Sequence, residues 1–139
     1  MERICTTIEQ SKKLMELGID VNTADMCWTN HLFNAFLSSW RIESTPPQEY
    51  KNLLDRFVVR GYLIEPAWSL TALLRLMPKL YEFENDPEDG GCQPNLCKGW
   101  DNNQWHIVYR PSIYITEWYD DPIDAAFEMV VWLKENGKL

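Results

Sequence analysis

Three groups of residues in this chain have the types and spacing that chemistry requires. Cys92-x4-Cys97, with His106 following in sequence, is the best metal candidate. Zinc sites take four ligands and usually a tighter first pair. Only Cys92, Cys97 and His106 are local, so a fourth ligand has to come from Cys5, Cys27 or His31. Two free thiols in a loop are the better reading, and neither a metal nor another cofactor is expected. Cys27 and His31 stand at helical spacing, as a nucleophile and its base would. A reactive thiolate needs an accessible, electropositive cleft. Here the neighbours are Met26, Trp28 and Leu32 in an acidic chain, which makes Cys27 a buried thiol. Glu117, Asp120, Asp121 and Asp124 form the third group. Paired carboxylates bind divalent cations or move protons. Helix capping accounts for Asp121 and Asp124, however, and solvent exposure for the other two. No phosphate-cradling glycine loop, nucleophile elbow or His-rich motif is present, so no catalytic residue is expected.

The elements that must position these residues read as α+β. Thr6 with Glu9, or Thr7 with Gln10, makes a capping box, and Gly18 ends a helix over about 8–17. Trp28, Leu32, Phe33, Phe36, Leu37 and Trp40 recur at three- and four-residue spacing, which favours a second helix. Pro46-Pro47 breaks it, and residues 48–58 resume helical spacing. Val58 to Ile64 suits a short strand. Ser69 caps a helix from Leu70 that Pro78 closes, and Lys79 to Glu84 alternates like a half-exposed strand. Residues 85–103 read as a long loop rich in Pro, Gly, Asn and Asp. Two strands follow, probing opposite faces in turn: Trp105, Ile107 and Tyr109 against His106 and Val108, then Tyr114, Thr116 and Trp118 against Ile113 and Ile115. They are expected to pair antiparallel through a loose turn at Pro111.

The final helix, 122–136, is the clearest element. Asp121 caps it, Pro122 fits its first position and Asn136-Gly137 ends it. It is long and apolar, and only Asp124, Glu128 and Glu135 look made for water. A helix of this kind must be covered on most sides, by the sheet, by residues 8–17 or 69–77, or by a second subunit in a homodimer. The expected architecture is a single α+β domain over 1–139: a small antiparallel sheet of about three strands packed with helices.

Composition narrows the functions. The 139 residues carry 13 basic and 21 acidic side chains, for a net charge of −8. Nucleic-acid binding needs a basic patch, and the only close basic pair is Lys12-Lys13, so direct binding is not expected. No run approaches the roughly 20 apolar residues of a membrane span, and residues 1–20 show no signal peptide. A cytoplasmic location with reduced thiols is expected. Seven Trp, six Tyr and five Phe exceed the usual aromatic content; a compact core with a subunit interface is the better reading, and an exposed stacking or ligand surface the alternative.

Three segments carry a resemblance: Cys5-Thr-Thr-Ile-Glu-Gln-Ser-Lys-Lys-Leu14 with Asn22-Thr-Ala-Asp-Met26, then Pro66-Ala-Trp-Ser-Leu70, and Asp121-Pro-Ile-Asp-Ala-Ala-Phe-Glu-Met129 through Trp132-Leu-Lys-Glu-Asn-Gly137. Together they cover about half of the chain. The combination resembles small uncharacterised proteins carried by phages, prophages and related mobile elements of gut bacteria. The resemblance implies a mobile-element origin and supplies no activity, cofactor or catalytic residue. With acidity, aromatic richness and missing catalytic motifs, it leads to a non-enzymatic accessory protein that binds a host or phage protein. The alternatives are a small-molecule binder with an aromatic-lined pocket and an acidic mimic of nucleic acid.

Overall fold

A computed structural model describes residues 3–31, 40–56, 62–80, 93–109 and 113–139. The chain divides into two compact units, Cys5–Ala72 and residues 3–4 with Leu73–Leu139. Each unit holds one three-stranded antiparallel sheet, so the fold is α+β with two small sheets in place of the single one expected.

The Cys5–Ala72 unit opens with helix α1 (Ile8–Glu16). Of the two capping boxes open in the sequence, Thr7 with Gln10 is the one that forms. Leu17 is the C-cap, and Gly18 takes φ 87°, a left-handed conformation that costs glycine least. The Ile19 N–H reaches the Leu14 carbonyl and the Gly18 N–H that of Met15, a Schellman ending with buried Leu14 and Ile19 beside each other in the bond pattern. After a 3-10 turn, Val21–Thr23, come strands β1 (Met26–His31) and β2 (Arg41–Glu43), helix α2 (Pro47–Arg56) and strand β3 (Tyr62–Ala67).

Strand β1 corrects the helix expected from Trp28. It lies between β2 and β3, with Trp28 opposite Ile42 on one side and Glu65 on the other. A four-residue spacing is even, so it puts Trp28 and Leu32 on one face of a strand as readily as of a helix. Pairing on both sides then satisfies the backbone and decides for the strand. Residues 32–39 of that expectation lie outside the described residues. β3 also differs from the strand expected at 58–64. It runs on through Pro66, which an edge strand tolerates because one side needs no ladder N–H; residues 57–61 lie outside the described residues.

The core of this unit is pinned by hydrogen bonds from its N-terminal segment. Thr6, Ser11 and Trp68 are fully buried. The Thr6 N–H donates to the Trp68 carbonyl at 2.9 Å, and the Trp68 N–H returns to Thr6 Oγ1 at 3.1 Å. Trp28 Nε1 donates to the Thr6 carbonyl, and Trp28 packs on Cys5, Met26 and Ala67. Asp25 accepts from both the N–H and the hydroxyl of Ser69, whose Oγ in turn accepts from the Ala72 N–H. Ser69 is thus the cap of helix α3 (Leu70–Leu76), within which the two units divide.

In the second unit, strands β4 (Asn95–Lys98), β5 (Trp105–Tyr109) and β6 (Tyr114–Ile115) lie in that order. β4 corrects part of the long loop expected over 85–103. Leu96 there pairs with Ile107 and extends the covered side of the sheet, and the Gly-Trp-Asp-Asn-Asn run is the hairpin connection. The Gly99 N–H reaches the Gln104 carbonyl across that connection, while Asn103 takes the left-handed φ of 54°. Residues 81–92 and 110–112 lie outside the described residues, and with them the strand expected at 79–84 beyond Leu80, part of the loop, and the turn at Pro111.

Helix α4 (Pro122–Glu135) packs against β5. Asp121 caps it by accepting from the Ile123 N–H, with Pro122 at its first position. Ile123, Ala125, Ala126, Met129, Val130 and Leu133 are buried, and Trp132 stacks on Tyr114 with ring centroids 4.4 Å apart. The sheet of its own unit is therefore part of the cover this helix requires. Two of its three presumed solvent groups are engaged. Asp124 pairs with the Arg3 guanidinium, which also reaches Asp121, and Glu128 accepts from the Glu117 N–H at 3.0 Å. Glu135 is exposed. Among the described residues no helix is long and apolar enough to cross a membrane.

Candidate interaction surface

Alternation along β5 sorts the second sheet into two faces. Ile107 and Tyr109 are fully buried on the α4 side, where the Tyr109 hydroxyl donates to the Pro78 carbonyl and burial raises its pKa. His106 and Val108 point to the far face, joined there by their cross-strand neighbours Cys97, Asn95 and Ile115.

The far face gains an aromatic ring through a slip in register. Val108 stands opposite Ile115, yet Trp105 stands opposite Tyr119. The chain leaving β6 therefore carries one more residue than β5 between those pairs, which is a β-bulge. Thr116 fills the gap: its N–H donates to the Ile107 carbonyl, and its Oγ1 accepts from the Ile107 N–H at 2.9 Å. A one-residue slip turns each later side chain to the opposite face. Trp118, expected beside Tyr114, instead lies over His106, with ring centroids 3.8 Å apart and planes 11° from parallel. Trp118 and Ile115 are each 41% exposed, and Trp100, in the β4–β5 connection, is fully exposed.

Thr116 is 4% exposed, so its hydroxyl has a definite role. A Thr116→Val change keeps the shape and leaves the Ile107 N–H without its acceptor. The expected loss is about 1–3 kcal/mol, the cost of a buried donor left unpaired. Urea unfolding would measure it; an unchanged midpoint would mean that the bulge does not depend on this bond.

Charge on the α4 side of the sheet is negative. Burial pushes the Tyr119 hydroxyl up to about 12, helped by the carboxylates of Glu128, Asp124 and Glu117. Tyr114 is raised by burial and then by Glu128 and Glu117. Glu128 is itself raised, first by burial, although the Glu117 N–H and the Tyr119 hydroxyl hold its ionised form. Burial lowers His106, whose Nδ1 is buried with no hydrogen-bond partner among the described residues.

These shifts have opposite consequences for stability. His106 binds its proton less readily in the native state than unfolded, where its value is 6.5. Stability should be full above 6.5 and fall as pH drops below it. Glu128 binds its proton more readily when folded, so its contribution falls as pH rises from 4.5. Denaturation midpoints on either side of 6.5 should therefore drop toward acid, and His106→Phe, which keeps a stacking ring, should flatten that drop. An equal drop in both proteins would assign it elsewhere.

The other sequence candidates separate. Cys97 lies directly across the β4–β5 pair from His106, while Cys92 lies outside the described residues. Among the described residues no three His, Cys, Asp or Glu side chains converge as a metal site. Cys27 and His31 share a strand, not a helix, about 13 Å apart along it at strand rise. Cys27 is fully buried and its thiol is pushed up to about 11, chiefly by burial, which suits an inert thiol rather than a nucleophile. Among the described residues Cys5, Cys27 and Cys97 form no disulfide. In the acidic group, Asp121 and Asp124 hold Arg3, Asp120 accepts from Gln104, and Glu117 is exposed. The Cys5–Ala72 unit has a groove of about 320 Å³ between Val21, Pro47, Lys51, Leu63 and Pro66; none of its lining residues is aromatic.

The His106–Trp118 pair was not among the sequence candidates. The residues stand twelve apart, and their meeting depends on the bulge at Thr116, which alternation alone conceals. No protein-family model matches the chain, and neither a curated protein nor a solved structure shows significant similarity to it.

Proposed function

We propose that the chain is a non-enzymatic interaction protein that binds a host or phage protein through the far face of the β4–β5–β6 sheet. The observation that carries this reading is the Trp118 ring, stacked on His106 and 41% exposed beside an equally exposed Ile115. Large aromatic rings held rigidly at a surface make efficient contacts, because little rotamer freedom is lost when a partner covers them. Cys27 is too buried and too weakly acidic for nucleophilic work, and Asp121 and Asp124 of the acidic group serve a helix cap and ion pairs. The origin in this reading is a mobile element, and the compartment is the cytoplasm, which suits cysteines outside any described disulfide. Helix α4 packs on the core side of the sheet, which leaves the opposite face for a partner.

The test is co-purification from cells that carry the gene, comparing the tagged natural chain with Trp118→Ala. Truncating an exposed ring should leave the melting temperature nearly unchanged and weaken partner retention at least tenfold, the scale of a contact residue worth over 1.4 kcal/mol. A folded variant that retains each partner undiminished would sink the reading.

A further inference from the structure

We propose that the partner's contact segment is basic and seats an arginine guanidinium on the open face of the Trp118 ring. This rests on the far-face reading above and names the chemistry that the face recognises. His106 covers one side of the indole, with its ring 3.8 Å away and nearly parallel. A ring stacked on one side and still 41% exposed presents its other side to a ligand. Tryptophan is the strongest aromatic partner for a cation, and a guanidinium stacks on it flat while its edge stays free to hydrogen-bond. The unit already contains such a pairing, with Lys98 Nζ 5.2 Å from the centre of the Trp105 ring.

Charge complementarity points the same way. Asp120 lies two residues beyond Trp118, is exposed and accepts a neutral amide from Gln104. The described ion pairs are made by Arg3, with Asp121 and Asp124. An apolar partner would strip water from Asp120 without replacing it, whereas a basic segment supplies the missing charge. A nucleic acid would be repelled by this carboxylate and by the net charge of −8.

The test titrates the full chain with a short peptide of alternating arginine and glycine. The control peptide carries citrulline in place of arginine, keeping the planar shape without the charge. The arginine peptide should bind, and the citrulline peptide should bind at least tenfold more weakly, as expected for a desolvated cation–ring contact. Trp118→Ala should weaken the arginine peptide by a similar factor, Trp118→Phe by less, and Asp120→Asn should reduce the salt dependence. No binding of the arginine peptide, equal binding of the two peptides, or binding indifferent to Trp118 would each overturn the inference. If the co-purified partner still depends on Trp118 in those cases, the far-face reading stands and only the arginine assignment falls.

Discussion

Trp68→Ala should cost about 3–5 kcal/mol, the range for removing a buried indole, against a typical total of about 5–15 kcal/mol. Trp68 is fully buried, and its backbone is tied at both polar atoms to Thr6. The cavity left by its ring would open beneath the segment that starts the unit, while the backbone bonds alone remain. Its indole N–H donates to Thr23 Oγ1, but Thr23 is exposed, so water can replace that donor. Trp68→Phe should therefore cost distinctly less than Trp68→Ala, since most of the ring volume is kept and no buried acceptor is stranded. Hydrogen exchange resolved along the chain would check both changes, with protection in α1 and β1 falling most in the alanine variant. Equal losses in the two variants would shift the weight from packing to the indole hydrogen bond.

Met129→Ala should cost about 2–5 kcal/mol and Glu135→Ala less than about 0.5 kcal/mol. The two residues sit on one helix, and only their exposure separates them. Met129 is fully buried on α4, between the levels of Ala126 and Leu133, whereas Glu135 is exposed in the last turn. Chemical denaturation of both variants measures the contrast. Comparable costs would mean that α4 does not bury the face described for it.

How far the sequence revealed this arrangement depends on whether the signal was local. Thr7-Gln10, Gly18, Ser69, Asp121-Pro122 and Asn136-Gly137 act within one turn of themselves, and each is used as read, because capping depends on neighbours along the chain. The strand at Met26–His31 could not be separated from a helix in the same way. Its spacing fits both periods, and the choice lies with β2 and β3, which approach from elsewhere in the chain. β4 was hidden for a related reason: four residues in a Gly- and Asn-rich stretch become a strand only because β5 pairs with them. At the candidate surface, alternation correctly set His106 and Val108 apart from Ile107 and Tyr109. It misplaced Trp118, since a single bulge residue reverses faces and leaves no mark in a period of two.

The central claim is that the far face of the β4–β5–β6 sheet is where a partner sits, and a photo-crosslinker reads this directly. Benzoylphenylalanine would replace Ile115 on that face in one protein and, in a second, Leu63, an equally exposed apolar residue of the Cys5–Ala72 unit. Irradiated in cells that carry the gene, the substitution at 115 should yield a discrete adduct that disappears with Trp118→Ala, and the one at 63 should yield none. Adducts from position 63 but not from 115, or adducts at 115 that ignore Trp118, would contradict the account.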